Sequence, residues 1–359
     1  MALLLLMLSL GLFQIAASSH LRLISPFNEE MHRDKARDKC EEEGGKLLSL
    51  YDQEDAEFIK WILENETQDK SFWIGLKKTN KALTWSDGAN FPLLNLGSEH
   101  HFNQECGAIE NPDWKAFNCS EPKYFMCNNG TDNILITEEK NWCQAQWYCR
   151  KHHRDLVSIN GKIPQKVLDT GGTKTFWTGF QQDSWQWDDG QCSTYRDWNS
   201  TNEQETCAVI SQSGMKTYGC QSPADVLCSK GILRVELVRE RKTWEEALHY
   251  CKEKYTDMLW IEDEDDQKAV EDQVEYILSR DRIDGPLWIA TRQSAVFGFW
   301  IWSDRIVSYS RWVNGIMPEM PLSYKCGVIN PHRNYMWSDA DCSRKLPFLC
   351  EKEIHSWEK

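Results

Sequence analysis

The stretch Lys325–Cys350, KCGVINPHRNYMWSDADCSRKLPFLC, decides how this chain is read. It holds a short apolar segment with Cys326, a Trp337-Ser338-Asp339 turn, Cys342, and a closing segment that ends in Cys350. The same frame occurs twice earlier. ECGAIENPDWKAFNCSEPKYFMC carries Cys106, Cys119 and Cys127, and TCAVISQSGMKTYGCQSPADVLC carries Cys207, Cys220 and Cys228. The last two cysteines of each frame are 8 positions apart in all three. A repeat of about 100 residues is too long for a solenoid unit and has the size of a whole domain.

Working outward, the equal offsets continue. Leu48, Val157 and Leu259 each lie 8 residues past a cysteine: Cys40, Cys149 and Cys251. Two helix-like openings, Trp142–Cys149 and Trp244–Cys251, share W-x-x-A-x-x-x-C, whereas copy one keeps Ala36 and Cys40 and has Arg33 at the Trp position. Carboxylates follow at Asp52, Glu54 and Asp55 and at 262–266; these read as the acidic first turn of a helix, facing its positive dipole end, in preference to a calcium cluster. Val270, Val274, Ile277 and Leu278 then recur at helical spacing. Aromatic strands come next, FWIGL at 72–76, FWTGF at 176–180 and LWIAT at 287–291. Each precedes a turn: Trp85-Ser-Asp-Gly88, Trp187-Asp-Asp-Gly190 or Trp302-Ser-Asp-Arg305. These tryptophans read as core and not as stacking platforms. A long loop without regular pattern, 308–325 in copy three, leads into each second-cysteine strand, and such loops are usually functional. The linkers at 128–132 and 229–231 are short and carry glycine, so the copies are closely strung.

Composition bounds the function. Hydrophobic residues make up 41% of the 359, enough for each copy to bury a core. The net charge of −14 argues against nucleic acid or another polyanion as partner. Fourteen cysteines at repeated spacings, without clustered C-x-x-C or Cys/His pairs, point to disulfides in an oxidising compartment and not to zinc. Residues 2–17 are nearly all apolar and end in small residues, as in an export signal. That run is too short for a bilayer span of about 20 residues, and no later run approaches one. The expected organisation is a signal at 1–18 and domains at 19–129, 130–229 and 230–353, in a secreted, extracellular chain. The absence of Lys or Arg before the apolar run keeps an uncleaved anchor as the alternative. N-x-S/T sequons at Asn65, Asn129 and Asn199 are candidate glycosylation sites, and that at Asn118 abuts Cys119.

On W-x-x-A-x-x-x-C, F-W-I-G, W-S-D-G and the four-cysteine frame, each copy resembles the C-type lectin-like domain. The array as a whole is similar to a fragment of macrophage mannose receptor-like proteins. The resemblance implies an α+β fold: per domain, two helices and two small antiparallel sheets with a long loop region, stabilised by disulfides. It implies the pairs Cys40–Cys127, Cys106–Cys119, Cys149–Cys228, Cys207–Cys220, Cys251–Cys350 and Cys326–Cys342. Cys143 and Cys192 then remain, both in copy two, and are expected to pair.

Sugar-binding members of the family hold calcium in the long loop with oxygens from a Glu-Pro-Asn or Gln-Pro-Asp tripeptide and a Trp-Asn-Asp turn, because calcium takes six to eight oxygen ligands. Here Trp114-Lys115-Ala116 and Met215-Lys216-Thr217 stand at that turn in copies one and two, placing ammonium groups where oxygens would converge. Copy three has Trp337-Ser338-Asp339 and Met317-Pro318-Glu319, with Pro318 where the family has its cis proline. Its candidate ligand-binding loop is Pro318, Glu319, Trp337, Ser338 and Asp339. Glu319 and Asp339 are its weak candidates for metal, with Asn314 or Asn330 as added amide oxygens. That count falls short of six, so calcium is at most a weak cofactor of the third domain. The expected function is a non-enzymatic recognition protein for a glycan or a cell-surface or secreted glycoprotein, with calcium-dependent sugar sites mostly lost; a purely protein-binding array is the alternative. An enzyme is disfavoured, since H-E-x-x-H, G-x-S-x-G and a C-x-x-C redox pair do not occur, and His152, His153 and Asp155 sit among Arg150, Lys151 and Arg154 as on a solvated helix face.

Overall fold

A computed structural model describes residues 20–64, 70–79, 85–89, 105–159, 161–294, 296–302, 305–319 and 322–354. The export segment and Asn65 lie outside them. The described residues form six α-helices and three separate sheets, an α+β arrangement. The helices are α1 (Arg33–Glu42), α2 (Gln53–Glu64), α3 (Trp142–His152), α4 (Gln165–Gly171), α5 (Trp244–Lys254) and α6 (Glu264–Arg280). Each sheet is mixed: the aromatic F-W-x-G strand or its equivalent runs parallel to a closing strand and antiparallel to the second-cysteine strand.

The third copy closes on itself. Its opening strand Leu233–Lys242 pairs with its own closing strand Leu346–Glu353, followed in the sheet by Leu287–Gln293, Cys326–Asn330 and Met336–Ala340. The first two copies do not. In the first unit, the opening strand Leu23–Met31 pairs with Ala224–Lys230, the closing strand of copy two, and Phe72–Lys78 pairs with Cys207–Ser211. In the second, Glu105–Glu110 of copy one lies on Thr175–Gln182 of copy two, and Lys123–Asn128 pairs with Asn133–Lys140. Each unit is thus the opening half of one copy completed by the closing half of the other. The exchange takes place where Phe72–Lys78 and Thr175–Gln182 end: the Thr79 amide donates to the Ser184 carbonyl at 2.7 Å, and Trp185–Trp187 pairs with Phe72–Lys78.

The first linker accounts for this. Asn129-Gly130-Thr131-Asp132 is a tight turn: the Asn129 amide donates to the Asp132 carbonyl at 3.0 Å and Gly130 has φ of 100°. So short a turn can only join neighbouring antiparallel strands. It therefore seats the closing strand of copy one beside the opening strand of copy two, the position that copy two's own closing strand would need. The second linker makes no such hairpin. Gly231, at φ 77°, carries the chain past Leu21 into the third sheet, and a Cβ there would meet the Leu21 carbonyl oxygen at 2.0 Å.

The disulfides follow the strands and correct two of the implied pairs. Cys40 is bonded to Cys228, not Cys127, and Cys127 to Cys149, because the closing strands have changed places. Cys106–Cys119, Cys207–Cys220, Cys251–Cys350 and Cys326–Cys342 are bonded as the resemblance implies. Cys143 and Cys192 are also bonded, from α3 of the second unit to the segment after the Trp187 turn in the first.

The aromatic strands form the cores. Trp73, Trp177 and Trp288 are fully buried, and each indole N–H donates to a carbonyl at the end of an opening strand, Met31, Lys140 and Lys242, at 2.7 to 3.0 Å. Trp142 and Trp244 open α3 and α5 and donate to Thr178 and Ile289 carbonyls. Both helices start with a capping box, Asn141 with Gln144 and Thr243 with Glu246, which satisfies two orphan amides each. Arg33, at the Trp position of α1, is 1% exposed and forms a 2.6 Å ion pair with Asp188 of the exchanged turn. The acidic run at 262–266 does open α6: Asp263 caps it, and Asp266 accepts from the Glu262 amide.

First and third units are docked through charge as well as apolar contact. Arg234 forms ion pairs with Asp52 and Asp55 at 2.7 Å. His20 bridges Asp266 at 2.7 Å and Glu351 at 3.1 Å while stacked on Trp260. Phe58 of α2 packs against Tyr276 of α6 at 5.3 Å.

Candidate functional site

The long loop of the third unit leaves the hairpin of Leu287–Gln293 with Trp300–Ile301 and returns at Cys326. Tryptophans anchor it from below. Trp312 lies 4.7 Å from Trp300 and 5.8 Å from Trp337, and the Trp300 indole donates to the Pro318 carbonyl at 2.8 Å. Trp337 is fully buried and donates to Gln267 of α6 at 3.0 Å, so this member of the predicted ligand loop is core.

The other predicted residues are spread along the loop's return. The Met317–Pro318 bond is trans, since Asn111–Pro112 is the sole cis bond among the described residues. Glu319 is exposed. Asp339 sits in the ladder opposite Gly327, and its carboxylate accepts from the Tyr324 amide at 2.7 Å, tying down the end of the loop. Ser338 is half-buried opposite Val328. Asn330 caps the short helical turn Pro331–Arg333 through the His332 amide, and Asn314 is exposed with φ of 61°. Among the described residues no three His, Cys, Asp or Glu side chains converge to hold a metal ion. In the first two units Lys115 pairs with Glu110, whose hydrogen bond raises the Lys115 ammonium above its ordinary value, and Lys216 lies over the Tyr218 ring at 5.5 Å.

The hairpin turn at 296–299 and the loop that follows it expose apolar side chains. Of the nine large hydrophobic residues exposed among the described ones, eight fall between 296 and 324. Leu322 is 96% exposed, Val296 80% and Phe297 72%, and Phe297 stacks on Phe299 at 5.4 Å. Single exposed apolar residues are ordinary, but a concentration on one loop region marks an interaction surface. Sequence reading did not find it: Ile316 and Leu322 stand in the long loop read at 308–325, but Val296, Phe297 and Phe299 precede it, between the aromatic strand and the Trp302 turn.

Elsewhere, Asp155 is saturated by the Leu156 amide, the Ser86 hydroxyl and Arg150, and His152 packs on Tyr148 at 4.6 Å, so this group has a structural role. Asn118, Asn129 and Asn199 are exposed. No helix among the described residues is long and apolar enough to cross a membrane.

The sequence matches the family model of the lectin C-type domain three times, at residues 29–129, 138–230 and 240–352. The chain belongs to the C-type lectin domain family. It is 22% identical to human lymphocyte antigen 75 over 91% of this chain and 24% of that protein, and 22% identical to the rabbit secretory phospholipase A2 receptor over 90% and 27%. Rat C-type mannose receptor 2 is 23% identical over 59% of this chain and 17% of that receptor. The chain thus spans about a quarter or less of the length of these relatives. Among solved structures, human lithostathine is 21% identical, with a TM-score of 0.30 over 33% of this chain and 90% of its own. The lectin CEL-I from Cucumaria echinata is also 21% identical, with a TM-score of 0.29 over 34% and 90%. The family is one of binding modules that are generally not enzymes.

Proposed function

We propose that this chain is an extracellular, non-enzymatic recognition protein that binds a secreted or cell-surface glycoprotein through the apolar loop face of its third unit, without a sugar bridged by calcium. The concentration of exposed apolar side chains between 296 and 324 carries this reading. Desolvating Phe297, Phe299 and Leu322 against a partner supplies affinity without a metal, and aromatic residues, phenylalanine among them, are enriched at protein interfaces. The engagement of Asp339 with the Tyr324 amide supports the same view, because that oxygen already has a donor.

The test is binding of the purified, labelled chain to cells that capture it, with EDTA, with glycosidase-treated cells, and with a Phe297→Ser/Leu322→Ser variant. Binding is expected to persist in EDTA and after removal of N-glycans, and to fall at least tenfold in the variant. Binding of mannose or galactose that is lost both in EDTA and in Asp339→Ala would replace this reading with a calcium-dependent lectin.

A further inference from the structure

We propose that Asn129 is a self-modification site: without a glycan, it loses ammonia through a cyclic imide and ages to aspartate and isoaspartate, inside the turn that joins copy one to copy two. Three Asn-Gly dipeptides occur in the chain, at Asn129, Asn160 and Asn314. Glycine has no Cβ to obstruct attack of its amide on the preceding side chain, so all three are open to this reaction by sequence. Asn160 lies outside the described residues. The fold prepares Asn129, which is exposed together with Gly130 and Thr131, and holds Asn314 back.

The Asn129 Oδ1 collects three donors: the Thr131 amide at 3.0 Å, the Thr131 hydroxyl at 3.2 Å and the Asp132 amide at 2.7 Å. The ring closed by the Thr131 amide contains Cγ, Cβ, Cα and C of Asn129 and N of Gly130, which are the atoms of the imide ring. Negative charge builds on Oδ1 as that ring forms, and donors already aimed at an oxygen where charge develops lower the barrier. The Arg154 guanidinium lies beside Gly130: a Cβ there would meet its Nη1 at 3.1 Å. A cation so placed favours loss of the amide proton. That proton is held by the Asn128 side-chain oxygen at 2.6 Å, a partner that a rotamer change releases. At Asn314 the matching amide is held by backbone. Gly315 donates to the Trp312 carbonyl at 2.9 Å within the turn Val313–Gly315, and Asn314 and Gly315 both have left-handed φ, 61° and 68°.

The step balances with water alone. Hydroxide takes the Gly130 amide proton, the nitrogen bonds to Cγ, and Nδ2 leaves as ammonia after gaining a proton from water. Water then opens the imide at Cγ, which gives aspartate, or at the Asn129 backbone carbonyl carbon, which gives isoaspartate with the main chain routed through Cβ. Either product puts a second carboxylate into the turn that holds Asp132 and removes the sequon. Isoaspartate also adds a methylene to the main chain of the turn that seats Lys123–Asn128 beside Asn133–Lys140. A glycan on Asn129 substitutes Nδ2 and blocks the loss of ammonia, so occupancy of the sequon decides which chains age. None of this depends on what the third unit binds.

The experiment holds the full disulfide-bonded chain, made without N-glycans, in mildly alkaline buffer at body temperature and follows it by peptide mapping and isoaspartyl methyltransferase labelling. Asn129 is expected to convert about tenfold or more faster than Asn314, at a rate that rises with hydroxide concentration. The two rates should converge once the chain is reduced and denatured. Thr131→Val, which removes the hydroxyl donor, and Arg154→Gln, which removes the cation, should each slow Asn129 by about threefold or more. Asn128→Ala, which frees the Gly130 amide, should speed it. All three variants should keep the melting temperature of the parent chain. A chain that carries a glycan on Asn129 should show no conversion there. The proposal is overturned if Asn129 outlasts Asn314 in the native chain, if their ratio is the same native and denatured, or if none of the three variants changes the rate.

Discussion

Replacing Asp188 by Ser tests the exchange of halves directly. Arg33 is 1% exposed, and its guanidinium meets the Asp188 carboxylate at 2.6 Å, although the two residues belong to different copies. Removing the anion leaves a buried cation without its partner, and breaking such a pair costs about 3–5 kcal/mol. Asp188 keeps 20% of its side-chain surface exposed, so the expectation lies at the lower end, about 3 kcal/mol. For a folding block of roughly 200 residues this lowers the melting temperature by about 6–12 °C. Arg33→Trp alone should also destabilise, since it sets an indole against a carboxylate that has lost its cation. The double variant restores a combination that copy three carries, Trp244 with Ser303, and that the second unit carries as Trp142 with Ser86. It should recover at least half of the loss. Calorimetric melting of the wild type, both single variants and the double variant closes the cycle. Additivity of the single effects within about 0.3–0.5 kcal/mol would mean that the two side chains do not meet, and with that the exchanged arrangement would fail.

Two other measurements bear on the same architecture. A protease site placed between Gly130 and Thr131 should yield, after cutting, fragments that stay together on a non-reducing gel and separate only with reductant, because Cys40–Cys228 and Cys127–Cys149 both span the cut; pairing within each copy would release them without reductant. The contact of the N-terminal segment with the third unit should weaken in alkali. Burial pulls the His20 imidazole down, but its hydrogen bonds to Asp266 and Glu351 and their charges outweigh this and raise it from 6.5 to about 9. A raised folded value means a contribution fully present below the unfolded value and lost as pH rises through the folded one. Protection of the Leu21 and Arg22 amides from hydrogen exchange should therefore decline between about pH 6.5 and 9 after correction for intrinsic rates, and should show no such step in His20→Gln.

The cores were legible in the sequence because repetition exposes them. Equal offsets from Cys40, Cys149 and Cys251 to an apolar run, and the recurring F-W-x-G strand, mark positions that only buried residues satisfy in all three copies, and Trp73, Trp177 and Trp288 are accordingly fully buried. The acidic run before α6 was legible for a local reason, the pull of a helix N-terminus on carboxylates. The apolar loop face was not, since exposure of Phe297 or Leu322 depends on what the rest of the fold leaves uncovered, and no local rule carries that.

The exchange is a different case, because repetition itself conceals it. When two copies share one strand pattern, the closing half of either completes the opening half of the other with nearly the same contacts, so the frame of cysteines and apolar positions fits both connectivities. The choice must then rest on places where the copies differ, and two such places were in the sequence. Asn129-Gly130 between the two apolar runs Tyr124–Cys127 and Ile134–Ile136 is a short hairpin signal, and a hairpin there joins the closing strand of copy one to copy two. The second is a paired departure. Arg33 replaces a tryptophan in copy one, and Asp188 replaces a serine in copy two, as Ser86 and Ser303 show. Within its own copy each would be a buried charge facing a neutral partner, a cost that neither half could offset. Across the exchange the cation meets the anion, and Trp142 shares the second unit with Ser86, whose amide donates to the Gly179 carbonyl; tryptophan and serine are also the residues that the sequence of copy three has at these two positions. The two departures thus make sense only together, and only if the halves have changed places.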